Sequence, residues 1–270
     1  MSAELQAMAW RYPAKGICIY CGATKYSALS EKPLTTEHIM PVALNGDLEL
    51  PESSCLKCER ITGRTEQLAL QGVYRGLRAR LGYKHRHKKE QPTTLPVFIP
   101  VAEGKDTKLD IPVDEYPHVH FFLSLGTPGR LLGVPSGAEF GPAHRWMRAQ
   151  ASDISEPVTS KKLKSFATPS LDLHSFCRML AKIGHSYASA ELMPGAFSPL
   201  LLDLILRDSK DVFHLVGGYS GEPDPPVKEP YLISMETSTV FDNTYLVAKI
   251  RPFANVEGSP HYRIVVGIRN

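Results

Sequence analysis

The sequence predicts an α+β protein in two parts, a small cysteine-framed module over residues 1–91 and a larger α+β domain over 92–270. Three observations carry this. Two Cys-x-x-Cys pairs, Cys18/Cys21 and Cys55/Cys58, bracket 33 residues, in a stretch dense in Cys, His, Gly and Pro. Further along, short runs rich in Val, Ile, Phe and Tyr, bounded by Gly or Pro, alternate with helical patterns. Composition is ordinary for a folded chain, with 43% hydrophobic and 22% charged among 270 residues. That is enough for a core without staples, and it excludes wholesale disorder.

The elements come in order. Residues 1–16 read as a leader whose Trp10 and Tyr12 can pack onto the next part of the chain. Arg64 to Tyr83 reads as a helix, with Leu68, Val73, Leu77 and Leu81 on one face and arginines on the other. Gly72 and Gly76 are points where it can split. Lys84 to Pro96 reads as a basic extended linker punctuated by Pro92, Pro96 and Pro100, which places the boundary near residue 92. Expected strands are Val97–Val101, His118–Leu123, Val212–Val216, Tyr231–Glu236, Thr244–Ile250 and Tyr262–Ile268. Expected helices run from Asp172 to Glu191 and from Ser198 to Arg207. On the first of these, Phe176, Leu180, Ile183 and Tyr187 form a core stripe, and Cys177 reads as a buried apolar cysteine. His174, Lys182 and His185 could line a pocket. His118 and His120 alternate on one strand, more often a polar face than a metal site. Trp146 between Arg145 and Arg148 is either a binding patch or packing. Glu222 to Pro230, with four prolines, reads as a surface loop.

Charge is uneven. The net +3 is too small to diagnose a nucleic-acid partner, but residues 1–100 carry 14 Lys/Arg against 9 Asp/Glu and the remainder is net −2. No run approaches the 18 apolar residues of a membrane helix, and Met1 to Tyr12 lacks the basic-then-apolar order of a secretory signal. The expectation is a soluble, cytoplasmic protein without a membrane partner.

Five cysteines is an odd number, poorly matched to a disulfide framework, and four of them stand as two tight pairs. Two intervening residues let both thiolates of a pair face one ion. Two such turns make a closed tetrahedral set that Zn²⁺ prefers. Gly22 suits the turn after the first pair. The alternatives are buried apolar cysteines or a redox pair, and the latter lacks a thioredoxin-like βαβ context. A closed four-cysteine site is structural, so the function lies in what it frames.

The framed segment runs from Leu34 to Gly46 and holds Glu37-His38, then Pro41 three residues after the His, then Asn45-Gly46. With the four cysteines it resembles the HNH endonucleases of the ββα-metal fold, over roughly residues 17–66. Leu50-Pro51, Ser54, Thr62-Gly63 and Glu66 are similar to one bacterial subgroup. The resemblance implies a zinc-stabilised ββα-metal HNH module acting as a divalent-metal-dependent DNA endonuclease. It implies His38 as general base and Glu37 as a ligand of a catalytic Mg²⁺ or Mn²⁺, and it places Glu59 on the helix as a second candidate ligand. Two positions depart from the pattern: Glu59 stands where most of the family has Asn or His, and no Asn lies in Leu50 to Ser54. These motivate the alternative, a catalytically degenerate, zinc-stabilised nucleic-acid-binding protein. A weaker option is an adaptor that uses zinc only to fold. His38 could likewise be a structural histidine. One such module cuts one strand, so a double-strand break needs two events or a homodimer.

Arg75, Arg78, Arg80, Lys84, Arg86, Lys88 and Lys89 form a run without an acid, and Arg60 and Arg64 can add to it. Such cations neutralise DNA phosphates and position without reading bases. The bland reading is a solvated linker.

Overall fold

The computed structural model describes residues 10–84, 92–99, 107–116, 119–135, 144–151, 171–207, 209, 211–219 and 221–270. The protein is α+β, as expected. A small three-stranded sheet opens the chain, in the order β1 (Trp10–Arg11), β3 (Leu48–Ser54), β2 (Thr35–His38). β1 lies parallel to β3, and β2 antiparallel to it. Helices α1 (Leu56–Gln71) and α2 (Tyr74–Arg80) come after this sheet. Two hairpin-like pairs come next, β4 (Thr94–Ile99) with β5 (Thr107–Pro112) and β6 (Val119–Leu125) with β7 (His144–Ala151). The long helix α3 (Leu173–Glu191) then leads to β8 (Phe197–Pro199), α4 (Leu202–Arg207), α5 (Val212–Leu215) and β9 (Val216–Gly218). Strands β10 (Tyr231–Val240), β11 (Asn243–Pro252) and β12 (Tyr262–Arg269) complete a second sheet in which β8 and β9 both pair with β12.

α3 is the centre of the molecule. Asp172 caps it by accepting from the Ser175 backbone N–H at 3.0 Å, which satisfies one of the orphan donors of a helix start. From Met179 to Ser186 every side chain is buried, the pattern of a helix covered on all sides rather than of an amphipathic surface helix. One side carries Gly184, which lets the helix approach Ile264 and Ala248 of β12 and β11. The other side meets the N-terminal elements. Tyr20 hydroxyl pairs with Ser186 Oγ at 2.9 Å, and the His185 ring meets the Ile19 carbonyl at 2.8 Å. One hydrophobic cluster therefore runs from Cys18 to Val266, across residue 92. Tyr74 of α2 packs its ring on Phe122, Phe176 and Phe253 within that cluster.

Several elements differ from expectation. The helix expected from Arg64 begins at Leu56, because Cys55 stays extended and the second cysteine pair opens the first turn. It breaks at Gly72, as the glycine allows, and its buried face is Ala69, Leu70, Tyr74 and Leu77, while Leu68 is exposed. Ser198 precedes Pro199, which disfavours helical backbone, so Phe197–Pro199 is a strand and the helix waits until Leu202. Val212 to Leu215 is helical, and only Val216 onward is strand; a short apolar run does not distinguish the two. The Pro-rich loop from Glu222 to Pro230 is mostly exposed. It is held from below by buried Arg251, which donates to the carbonyls of Pro225 (2.9 Å) and Asp224 (2.5 Å). His118 lies outside the described residues, and the side chains of His120, Arg145, Trp146 and Arg148 do too.

The Asn-Gly turn forms as the sequence suggests. Asn45 adopts a left-handed φ of 61°, and a Cβ on Gly46 would overlap the Met40 carbonyl. Gly46→Ala is expected to cost about 1–3 kcal/mol, the usual range for overpacking, read as a lowered midpoint in urea unfolding.

Candidate functional site

The first cysteine pair rides on a tight turn. Cys18 N–H donates to the Ala23 carbonyl at 2.7 Å, Gly22 N–H returns to the Cys18 carbonyl at 2.9 Å, and Gly22 takes a φ of 76°. Ile19 N–H donates to Ser53 O at 2.9 Å, fastening the turn to the end of β3. The second pair stands at the start of a helix: Cys55 is the N-cap of α1 and Cys58 lies in its first turn. The four sulfurs lie within 4.8 Å of one another. Cys21 and Cys55 sulfurs are 3.6 Å apart. Four ligands at the zinc–thiolate bond length would stand about 3.8 Å apart at the corners of a tetrahedron, so the set fits a metal such as zinc. The helix N-terminus adds positive potential that favours thiolates. Left to themselves the sulfurs compete for protons. A hydrogen bond from Cys58 pulls Cys18 down to about 4, while the Cys18 sulfur and burial push Cys58 far above the usual thiol range.

The framed Glu-His pair splits across the strand. Neighbouring strand residues face opposite ways, and here Glu37 points into the interior while His38 points out. The His38 side chain is 44% exposed, with Nδ1 4.0 Å from Glu49 Oε1, an ion-pair distance rather than a hydrogen bond. Arg11 holds the other Glu49 oxygen, its Nη2 3.1 Å away. Arg11, Glu49 and His38 are register partners on β1, β3 and β2, so they form one row across the sheet. Sequence reasoning missed Arg11 and Glu49. Their only signal was register, which a single sequence does not carry.

Glu37 has a different set of neighbours. Its carboxylate is 2.5 Å from the Lys182 ammonium of α3, and Glu66 Oε1 of α1 is 2.8 Å from the same nitrogen. Lys182 also donates to the His38 and Ile39 backbone carbonyls. Burial would depress the Lys182 pKa, but the two carboxylates outweigh it and hold the ammonium above its usual value. One ammonium cannot neutralise both carboxylates. Burial therefore pushes Glu37 up, against the pull of Lys182.

Glu59 lies elsewhere. It accepts from Tyr26 hydroxyl and Thr35 Oγ1, each at 3.2 Å. Thr35 begins β2 and His38 ends it, a separation of about 10 Å at the usual strand rise. The structure thus gathers the four cysteines but not Glu37, Glu59 and His38. His174, Lys182 and His185 do not converge either: His174 meets the Ser209 carbonyl and His185 that of Ile19.

Comparison with known proteins finds no matching family model, curated protein or solved structure.

The expected phosphate-binding cations divide. Arg60, Arg64, Arg75, Arg80 and Lys84 are exposed. Arg78 is turned inward, donating from Nε to the Ala43 carbonyl at 2.6 Å and from Nη1 to Leu70 O at 3.3 Å. Burial lowers its pKa to about 10, and it serves the fold rather than a partner. Arg86, Lys88 and Lys89 lie outside the described residues. Among the described residues, no helix is long and apolar enough to cross a membrane.

Proposed function

We propose that the chain hydrolyses phosphodiester bonds of DNA, with His38 as the general base. The observation that carries this is the placement of His38. It stands half-exposed at the end of β2, beside a carboxylate, in a strand–strand–helix unit whose helix start is gathered with the preceding turn by the four cysteines. The order β2, β3, α1 supports reading that unit as an HNH-like ββα-metal module. Glu49, facing Nδ1, would orient the ring so that Nε2 takes a proton from water. The water oxygen attacks phosphorus as the bond to the leaving sugar oxygen breaks. Arg11 stands next in the row and offers a guanidinium to a phosphate oxygen. A divalent ion such as Mg²⁺ or Mn²⁺ would stabilise the phosphate charge, but the two expected ligands do not fit one site: Glu37 is held by Lys182, and Glu59 lies at the far end of β2.

Those same facts favour a second reading, a zinc-stabilised module that binds nucleic acid without cutting it. A plasmid-nicking assay on zinc-loaded protein with Mg²⁺ or Mn²⁺ separates the two. His38→Ala is expected to reduce cutting by about 10²–10⁴-fold, the usual contribution of a general base. Binding without any cutting by folded wild type would leave the second reading.

Both readings use the exposed arginines of α1. Replacing Arg60 and Arg64 with Ala is expected to lower the slope of log affinity against log salt by about 1.8, from roughly 0.9 per lost phosphate contact. An unchanged slope in a fluorescence-anisotropy titration with duplex DNA would remove α1 from the interface.

A further inference from the structure

The Lys182 ammonium stands in a cradle built wholly of oxygen. Glu37 Oε1 is at 2.5 Å and Glu66 Oε1 at 2.8 Å. The Ile39 carbonyl is at 3.4 Å, with the His38 carbonyl closer still. These donors come from β2 and α1, and the cation is delivered by α3. The side chains of Lys182 and Glu37 are 2% and 7% exposed.

Charge and chemistry describe what such a cradle suits. Carboxylates and backbone carbonyls are the donors of hard divalent cations. When both carboxylates are ionised they carry two negative charges between them, and one ammonium balances only one. An ammonium also has three protons to share among four oxygens. The cradle is thus under-filled in charge by the group it holds once both carboxylates ionise, with the Tyr20 hydroxyl a further donor to Glu37. A buried ionised carboxylate needs a cation beside it, and the two backbone carbonyls add donors that the same cation can satisfy.

We propose that Glu37, Glu66 and the carbonyls of His38 and Ile39 form a cation site whose resident cation is the Lys182 ammonium, and that removing this side chain turns the site into one for a divalent metal ion. Glu37 in this chain is therefore a ligand of an internal lysine. Any divalent ion used in phosphodiester chemistry has to be held by other oxygens. The inference does not depend on the nuclease reading, since it is read from metal binding.

The test compares zinc-loaded wild type with Lys182→Ala, each titrated with Mn²⁺ and monitored by the loss of the free-ion electron paramagnetic resonance signal. Lys182→Ala is expected to gain about one tightly held Mn²⁺ per chain, through carboxylate and carbonyl oxygens. The gain should vanish when Glu37→Gln and Glu66→Gln are added. In wild type, Glu37→Gln should leave Mn²⁺ uptake unchanged. Should Lys182→Ala fail to fold in buffer, recovery of its circular dichroism spectrum in millimolar Mn²⁺ counts as uptake. Three results would overturn the proposal: folded Lys182→Ala without added uptake, a variant unfolded with and without Mn²⁺, or wild-type uptake abolished by Glu37→Gln.

Discussion

Stripping the metal from the four-cysteine site is expected to unfold the segment from Cys18 to Cys58. Besides the metal, only a few hydrogen bonds tie the first turn to the start of α1 among the described residues: Leu56 N–H donates to the Tyr26 carbonyl at 2.9 Å, and the Tyr26 hydroxyl donates to Glu59 at 3.2 Å. The turn touches β3 through Ile19 and Ser53, and α1 begins at a cysteine that makes no side-chain cap bond. Structural zinc contributes on the order of 10–16 kcal/mol in small modules, far more than those hydrogen bonds supply. Here the module also leans on α3 through Tyr20 and His185, so its loss should loosen that helix as well. The measurement is hydrogen exchange by mass spectrometry with and without chelator, with zinc counted in the same samples. Peptides between residues 18 and 58 should lose protection, and those in β10 to β12 should lose less. Cys58→Ser should reproduce the effect without chelator. Full protection in metal-free protein would show that the cysteines are ordinary core residues.

Replacing Lys182 with Met in the absence of added divalent ions is expected to cost about 3–5 kcal/mol, the penalty for leaving one side of a buried pair uncompensated. For a chain of this size that is a fall in melting temperature of roughly 6–20 °C. The cost arises because buried Glu37 and partly exposed Glu66 keep their positions and lose their shared cation. Adding Glu37→Gln and Glu66→Gln to Lys182→Met should recover most of it, since the buried charge is then gone. Thermal unfolding of the zinc-loaded variants checks both statements. A Lys182→Met protein within about 1 kcal/mol of wild type would mean that the carboxylates take up protons at little cost.

Much of this molecule is legible before folding is considered. The four-cysteine cluster, which could hold a metal such as zinc, can be read from spacing, because a Cys-x-x-Cys turn is a local structure. The α3 boundary at Asp172 can be read from its cap, and the β10 to β12 strands from β-branched and aromatic runs between turn residues. These signals are local, set by dihedral preference and by hydrogen bonds between residues a few positions apart. The misread elements failed where local signals tie. Val212 to Leu215 is short and apolar enough for either state, and Pro199 overrode the helical pattern that begins beside it.

The chemistry of the candidate site was set at longer range. Nothing near Lys182 in sequence announces that its ammonium meets Glu37 and Glu66, or that Arg78 in a basic run turns inward to Ala43 and Leu70. Glu49 becomes the neighbour of His38 only through the register of β2 on β3. A buried charge takes whatever partner the packing brings within about 3 Å, because an unpaired one costs several kcal/mol. Spacing and local pattern were enough for the four-cysteine cluster and the α+β class. Which carboxylate faces which cation was not readable that way, since it depends on how β2, α1 and α3 pack against one another.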